Sequence, residues 1–334
     1  MTSSDCPTHS DPRHLLLVSP SPRLVTEATE AGFHVLTVTD TIGFPDDDAL
    51  REDLARTART HRASRLIACG EASSLPAVLE TAEHLGLSPN PAAAARLLAD
   101  PSQIRGLLTR SGPQWEAVAL PIGTRDGASY AIEYGVETLT AEGMHRVTGI
   151  VELRFTGSVG TSAGPAPGSG SAPGPGPGSD DVGTVREGHP VHTFPAPLTR
   201  LEEAEIRALA TGLLDLAGYE FGYAFTRIAL TEQGPRIINS LTQHASWPAS
   251  RLIELTTGRV PERELVRALS GKPMESPVPV GCATAVPLPD PQDVPESITA
   301  LPGVREVRDG HAVLTALTPA ELAVRTAAVA DLLA

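Results

Sequence analysis

Short apolar runs alternate with amphipathic stretches through the first third of the chain. Residues 15–18 (Leu-Leu-Leu-Val) are apolar without alternation, the pattern of a strand buried on both faces. Residues 22–31 predict a helix closed by Gly32, 34–39 a second strand and 49–62 a second helix. A third strand follows over 65–70, and a helix over 75–85 is stopped by Gly86. Strands alternating with helices predict a parallel sheet with helices on its faces. Two shorter helices are expected over 91–99 and 101–110, ending near Gly112.

The pattern then changes. Residues 113–129 carry Pro and Gly with no clear period. Residues 130–138 alternate like a strand, turn at Ala141-Glu142-Gly143 and return over 146–155, a hairpin signal. Residues 157–179 are almost entirely Gly, Pro, Ser and Ala and predict a flexible insertion, because they cannot bury enough apolar surface to offset ordering entropy. The stretch 201–217 is a strongly amphipathic helix with Ile206, Leu209, Ala210, Leu213 and Leu214 on one face, closed by Gly218. Strands are expected over 222–230 and 236–238 around the turn Glu232-Gln233-Gly234-Pro235, then helices over 250–257 and 262–269. Strands over 280–287 and 304–307 and a helix over 319–333 complete the chain, and no internal repeat is found.

Composition narrows the function. With 334 residues, about two domains are expected. The formal net charge of −14 argues against a nucleic-acid groove, which needs a basic face, and against an anionic membrane surface. No apolar run approaches the ~20 residues of a membrane span. The run 15–18 is too short for a signal-peptide core, so a cytoplasmic location is expected. Cys6, Cys69 and Cys282 are far apart and odd in number, which fits neither a disulfide framework nor a paired-cysteine metal site; Cys69 reads as a core residue. Lys272 is the only lysine.

Most motifs that carry chemistry are absent from the sequence. There is no G-x-S-x-G nucleophile elbow and no G-x-x-x-x-G-K-[ST] phosphate loop. Ser270-Gly271-Lys272-Pro273 only echoes the latter, and the Gly-Ser stretch within 157–179 lacks the flanking strand and helix such a loop requires. His189 and His192 read as surface-loop residues rather than metal ligands. Glu133 and Glu137 share one face of a strand, either as two solvated carboxylates or as part of a site.

Several collinear segments resemble the ATP-grasp superfamily, and within it the L-amino-acid ligases and related carboxylate–amine ligases. The opening LLLVSPSPRLVTEATEAGFHVLTVT is similar to the first strand–helix–strand of the domain preceding the grasp. LGLSPNPAAAARLLADPSQIRGLLTRSG, YAIEYGVE and the run from FPAPLTRLEE to GPRII follow in the family's order. LPGVREV and LTPAELAVRTAAVADLL resemble the small C-terminal domain of L-amino-acid ligases. The resemblance implies an α/β chain. A Rossmann-like parallel-sheet domain over 14–112 would follow a disordered N-terminus over 1–13. A truncated α+β grasp domain over 113–275, with a flexible Gly/Pro loop at 157–180, would lead into a small α+β unit over 276–334.

The resemblance also implies chemistry: a carboxylate activated as an acyl phosphate, with lysine and Mg²⁺ neutralising the triphosphate. This sequence departs from that pattern at each ligand. No lysine stands in Asp100-Pro101-Ser102-Gln103, where the family carries one. Residues 113–129 are too few for the flap subdomain, so the first half of the grasp is expected to be missing. Arg227 stands where the family has a metal-binding Glu, and the run Asn239-Ser240-Leu241-Thr242-Gln243 replaces its E-x-N-x-R. A like-charge contact at about 4 Å costs about 4 kcal/mol at an effective dielectric of ~20, so Arg227 opposes a dication at that place.

Two readings follow. In the first, the chain is a degenerate ATP-grasp relative that binds a small molecule, an amino acid or peptide, or serves a partner protein such as an active ligase. No cofactor is then expected, and ATP and Mg²⁺ are implied by the resemblance alone. In the second, it is an ATP-dependent ligase or a repurposed enzyme, with Glu133, Arg227, Asn239, Gln243 and His244 lining the remnant cleft. Arg227 would then pair with a substrate carboxylate and His244 would serve as general base. The plainer readings are an Arg227–Glu133 ion pair, His244 as a loop residue and Trp247 as packing. Loss of half the grasp uncovers apolar surface, so a homodimer or complex is expected.

Overall fold

A computed structural model describes residues 13–38, 46–69, 75–119, 132–155, 190–289 and 296–333. The expected disordered N-terminus, apart from Arg13, and the Gly/Pro insertion lie outside the described residues.

The first body is a three-stranded parallel sheet in the order β2-β1-β3, from β1 (His14–Val18), β2 (His34–Val38) and β3 (Arg65–Ala68). Helices α1 (Pro22–Glu30), α2 (Asp47–Thr60) and α3 (Leu75–His84) connect and follow these strands. The unbroken Leu-Leu-Leu-Val run is explained by position: β1 is central and covered on both faces. Leu16 and Val18 pack with Leu50, Leu54 and Val78 from α2 and α3. Leu15 and Leu17 pack with Leu24 of α1 and with Val266 from much later in the chain. Burial pushes the Cys69 thiol, just after β3, up to about 12, in line with a core role.

Helices α4 (Ala92–Ala99), α5 (Pro101–Arg110) and α6 (Pro113–Glu116) lead out of this body. The second body is one antiparallel sheet of eight strands in the order β10-β11-β9-β6-β5-β4-β7-β8. Its central hairpin joins β4 (Ile132–Ala141) to β5 (Met144–Arg154). Glu142 and Gly143 both have positive φ, 51° and 72°, the backbone of a primed turn that matches strand twist. On the far side of β4 lie β7 (Gly222–Thr231) and β8 (Gly234–Leu241). Beyond β5 lie β6 (Val191–Phe194), β9 (Cys282–Pro287), β11 (His311–Ala316) and β10 (Val304–Arg308).

One face of this sheet is covered by α7 (Arg200–Ala217), with α4 and α5. Thr199 and Glu202 form a reciprocal capping box at its start, and Gly218, at φ 67°, ends it in the left-handed conformation. Its expected apolar stripe is buried: Ile206, Ala210, Leu213 and Leu214 lie in the cluster with Val136, Ile150 and Ile228. Gly212 is required there, since a Cβ would sit 2.4 Å from the Trp115 ring. The opposite face is covered by α8 (Ala249–Thr257), whose Leu252 and Ile253 pack with Phe194, Phe225 and Val313. Helix α9 (Pro261–Leu269) turns away to α1 and carries Val266 onto the first sheet. Helices α10 (Glu296–Thr299) and α11 (Pro319–Leu333) pack on the outer strands.

Two strands have no counterpart in the sequence reading. The four residues of β6 sit beside prolines, and β11 (His-Ala-Val-Leu-Thr-Ala) is buried on both faces and shows no alternation. Through β6, the C-terminal strands are hydrogen-bonded continuously with the central hairpin.

Candidate functional site

Register brings three of the five expected residues to one place on the α8 side of the sheet. Gly135 of β4 lies opposite Arg227 of β7, and Arg227 opposite Asn239 of β8. Glu133 is two residues along β4 and therefore on the same face. Arg227 Nε donates to Glu133 Oε2 at 3.1 Å, and Nη2 donates to the same oxygen. The Arg227 side chain is 33% exposed, that of Glu133 3%. Asn239 Oδ1 is buried and has no hydrogen-bond partner among the described residues.

Glu137 continues the row. Gly135 separates the two carboxylates, and the Phe225 ring fills the space its missing side chain leaves, with Cζ 2.2 Å from where a Cβ would stand. Glu137 is only 1% exposed, which corrects the reading of Glu133 and Glu137 as solvated. The reason is the cover from α8 and from the segment after β8. A bulge in β5 sets Gly149 opposite Glu137 and Val147 opposite Thr138, leaving Thr148 as the extra residue. Its hydroxyl is thereby aimed at Glu137 Oε1, 2.7 Å away, while the Ala245 amide donates to Oε2 at 2.8 Å. Desolvation raises the Glu137 carboxyl above its ordinary range, against the lowering effect of these two donors and of the His244 charge.

Gln243 and His244 lie past the end of β8 and are exposed. His244 Nδ1 is 2.7 Å from the Ala245 carbonyl, and its ring stands edge-on to Tyr223 with centroids 6.1 Å apart. The structure thus groups Glu133, Arg227 and Asn239, and sets His244 beside Tyr223 and Glu137 as a loop residue. Trp247 is half-buried against the α8 cluster, with the Arg308 guanidinium 5.1 Å from its ring centre, so it packs as read. His192 is buried on β6, not in a surface loop as read, because β6 is an interior strand; His189 lies outside the described residues.

A cavity of about 20 Å³ lies among Glu137, Thr148, Tyr223, Arg259 and Glu264, room for about one water. A nucleotide-sized ligand needs a pocket of roughly 300 Å³ or more. Among the described residues, no group of three His, Cys, Asp or Glu side chains is placed to hold a metal. The period-two spacing of Glu133 and Glu137 announced their shared face. Nothing in the sequence announced the Thr148 bulge or the lid of residues 242–248.

Comparison of the whole fold gives its class. An L-amino acid ligase from Bacillus licheniformis superposes with a TM-score of 0.67 at 15% identity, over 96% of this chain and 97% of that one. Glycinamide-RNase-transformylase T from Mycobacterium tuberculosis gives 0.63 at 16% identity, over 96% and 100%. The biotin carboxylase domain dimer of a 2-oxoglutarate carboxylase from Hydrogenobacter thermophilus, in complex with MgADP, gives 0.59 at 12% identity, over 94% and 88%. No family model and no curated sequence matches the chain. In fold the chain is similar to these proteins, which supports the resemblance to ATP-grasp carboxylate–amine ligases carried by the sequence. No helix among the described residues is long and apolar enough to cross a membrane.

Proposed function

We propose that this chain is a non-catalytic protein on an ATP-grasp-related fold, acting as a binding or partner subunit rather than as a ligase. The observation that carries this reading is the Arg227–Glu133 pair. The carboxylate on the sheet face is neutralised by the chain's own guanidinium, so a dication there would displace Arg227 and meet its charge. The donor set does not fit Mg²⁺ and triphosphate. Asn239 offers a neutral oxygen, Glu137 is engaged by Thr148 and Ala245, and the adjoining cavity admits about one water. In this proposal the chain divides at 14–112, 113–275 and 276–334, and the first half of the grasp is absent because residues 117–131, between α6 and β4, are too few to build it.

The same proposal includes assembly and a cytoplasmic location. Val278, Val280 and Leu317 are each more than three-quarters exposed. Gly281 lies against the backbone of Ala316 and Leu317, so the segments that carry exposed Val280 and Leu317 adjoin and would offer apolar surface to a second copy or a partner protein. Cys69 and Cys282 are free thiols, in keeping with a reducing compartment.

Calorimetric titration with MgATP, beside a non-hydrolysable analogue, tests the central claim. The expected result is no saturable heat and no thermal stabilisation at millimolar nucleotide. Binding tighter than about 100 μM, about −5.5 kcal/mol, would overturn it and put the ligase reading first.

A further inference from the structure

Strands β1 and β2 begin side by side, and each begins with a histidine. Parallel pairing sets His14 directly opposite His34, so their side chains leave the same face of the sheet from strands about 4.8 Å apart. That face packs on α2 and α3, since Leu16 and Val18 follow His14 at a period of two and Leu36 follows His34. The two rings therefore extend the face past its apolar core, at the end of the sheet where the strands start. Their backbones are fixed there. The His14 carbonyl accepts from the Ser64 amide at 2.7 Å and from the Ser64 hydroxyl at 2.8 Å, and the His34 amide donates to the Arg13 carbonyl at 3.1 Å.

The rings stand with centres 4.7 Å apart and planes tilted by 43°. His14 Nδ1 bonds to the carbonyl of His61, the residue that caps the end of α2. A carbonyl only accepts, so Nδ1 carries the proton, and in the neutral ring the lone pair is on Nε2. Metal-ligating histidines are held in this way, with the nitrogen that does not bind metal donating to a carbonyl or a carboxylate. His34 is exposed and makes no side-chain hydrogen bond among the described residues. Two imidazoles on one metal, each nitrogen about 2.0–2.1 Å from it, have ring centres about 4.5 Å apart at a right angle and about 5.2 Å apart at the tetrahedral angle. The observed 4.7 Å lies between these. Arg13, Arg59 and Arg62 are close in sequence to His14 and His61 and are exposed, so solvent screens their opposition to a cation.

We infer that His14 and His34 form a two-histidine site for a borderline divalent cation of the Zn²⁺ and Cu²⁺ kind, with water in the remaining positions. Imidazole nitrogen suits these ions and not Mg²⁺, which takes oxygen ligands. Two protein ligands leave the coordination open, unlike the four of a structural zinc site. His61 serves through its backbone carbonyl, which orients His14, and not through its ring. The site lies on the first sheet and Glu133 and Arg227 on the second, so it stands apart from the proposed loss of nucleotide chemistry.

Titration of the untagged full chain with zinc chloride tests it, read by calorimetry and by nitrogen-15 NMR of the histidine rings. Saturable binding is expected with a Kd below about 100 μM. The ring signals of His14 and His34 should move, with the change at His14 falling on Nε2 while its Nδ1 keeps the proton. His14→Gln and His34→Gln should each weaken binding by about tenfold or more. His34→Gln alters an exposed side chain and should fold as the parent does, which circular dichroism checks. His61→Asn keeps the carbonyl and should leave the Kd unchanged, as should about 10 mM Mg²⁺. No saturable binding at about 1 mM Zn²⁺ would overturn the inference. So would binding that His34→Gln leaves unchanged, binding that His61→Asn removes, or a zinc shift confined to other histidine rings. The MgATP titration reads the second sheet, so either result there leaves this one to stand or fall alone.

Discussion

Arg227 and Glu133 meet across β7 and β4 with guanidinium Nε and Nη2 both donating to one carboxylate oxygen, the acid almost wholly buried and the base one-third exposed. Removing the base alone leaves a carboxylate held in the sheet without this counter-charge. Breaking a buried pair from one side costs about 3–5 kcal/mol, and partial exposure of Arg227 reduces this to about 2 kcal/mol. Arg227→Met should therefore lower the urea midpoint clearly at unchanged m-value. Glu133→Gln with Arg227→Met should recover most of the loss, because no charge is then stranded. A double variant as unstable as the sum of the two singles would show that the two residues do not act as a pair.

How far the sequence foretold this arrangement differs from element to element. The parallel sheet, the hairpin at Glu142-Gly143 and the α7 stripe follow local rules of period and turn chemistry, and each is found where expected. Strands β6 and β11 escaped because interior strands need not alternate, and four residues between prolines carry little signal. At the candidate site, spacing placed Glu133 and Glu137 on one face, and the charge reversal at Arg227 was visible as a departure from the family pattern. Burial was not visible. It comes from α8 and residues 242–248 closing over β4, a tertiary event that no local pattern records. The His14–His34 pair was hidden for the same reason, as only the register of β1 on β2 sets the two rings side by side.

Glu137 should give the fold a measurable pH signature. Its carboxyl is raised in the folded state, chiefly by desolvation. A group raised on folding favours the folded state most below its unfolded value, and that contribution is lost as pH rises through the folded value. The parent should thus lose stability relative to Glu137→Gln as pH increases from about 4.5 upward. Glutamine can keep the Ala245 amide bond, and Thr148 can turn its hydroxyl to the Glu137 backbone carbonyl, 3.2 Å away. Differencing the two proteins removes the opposite trend of Glu27, whose carboxyl is held low by its Arg263 hydrogen bond. Melting temperatures of both across pH 5–8 should diverge towards high pH, with the variant the more stable. Parallel curves would mean that Glu137 does not titrate in this way.

Asn90 is a polar tie between the two bodies. It lies in the turn between α3 and α4, yet its side chain serves the backbone that leads into β7. Oδ1 accepts from the Glu220 and Phe221 amides at 2.8 and 2.7 Å, and Nδ2 donates to the Phe221 carbonyl at 2.5 Å. One amide side chain thus satisfies three main-chain groups, and only a group with both an acceptor and a donor can do so. Asn90→Ala should cost about 2–3 kcal/mol, the sum of lost bonds and partly buried groups left to water. Asn90→Asp should keep the two accepted bonds but set a carboxylate oxygen against the Phe221 carbonyl, and fall between the parent and Asn90→Ala. Hydrogen exchange adds a readout that global stability does not supply. The Glu220 and Phe221 amides should lose protection in Asn90→Ala well beyond the global change, whereas a uniform loss across β7 would assign Asn90 to general packing and not to this tether.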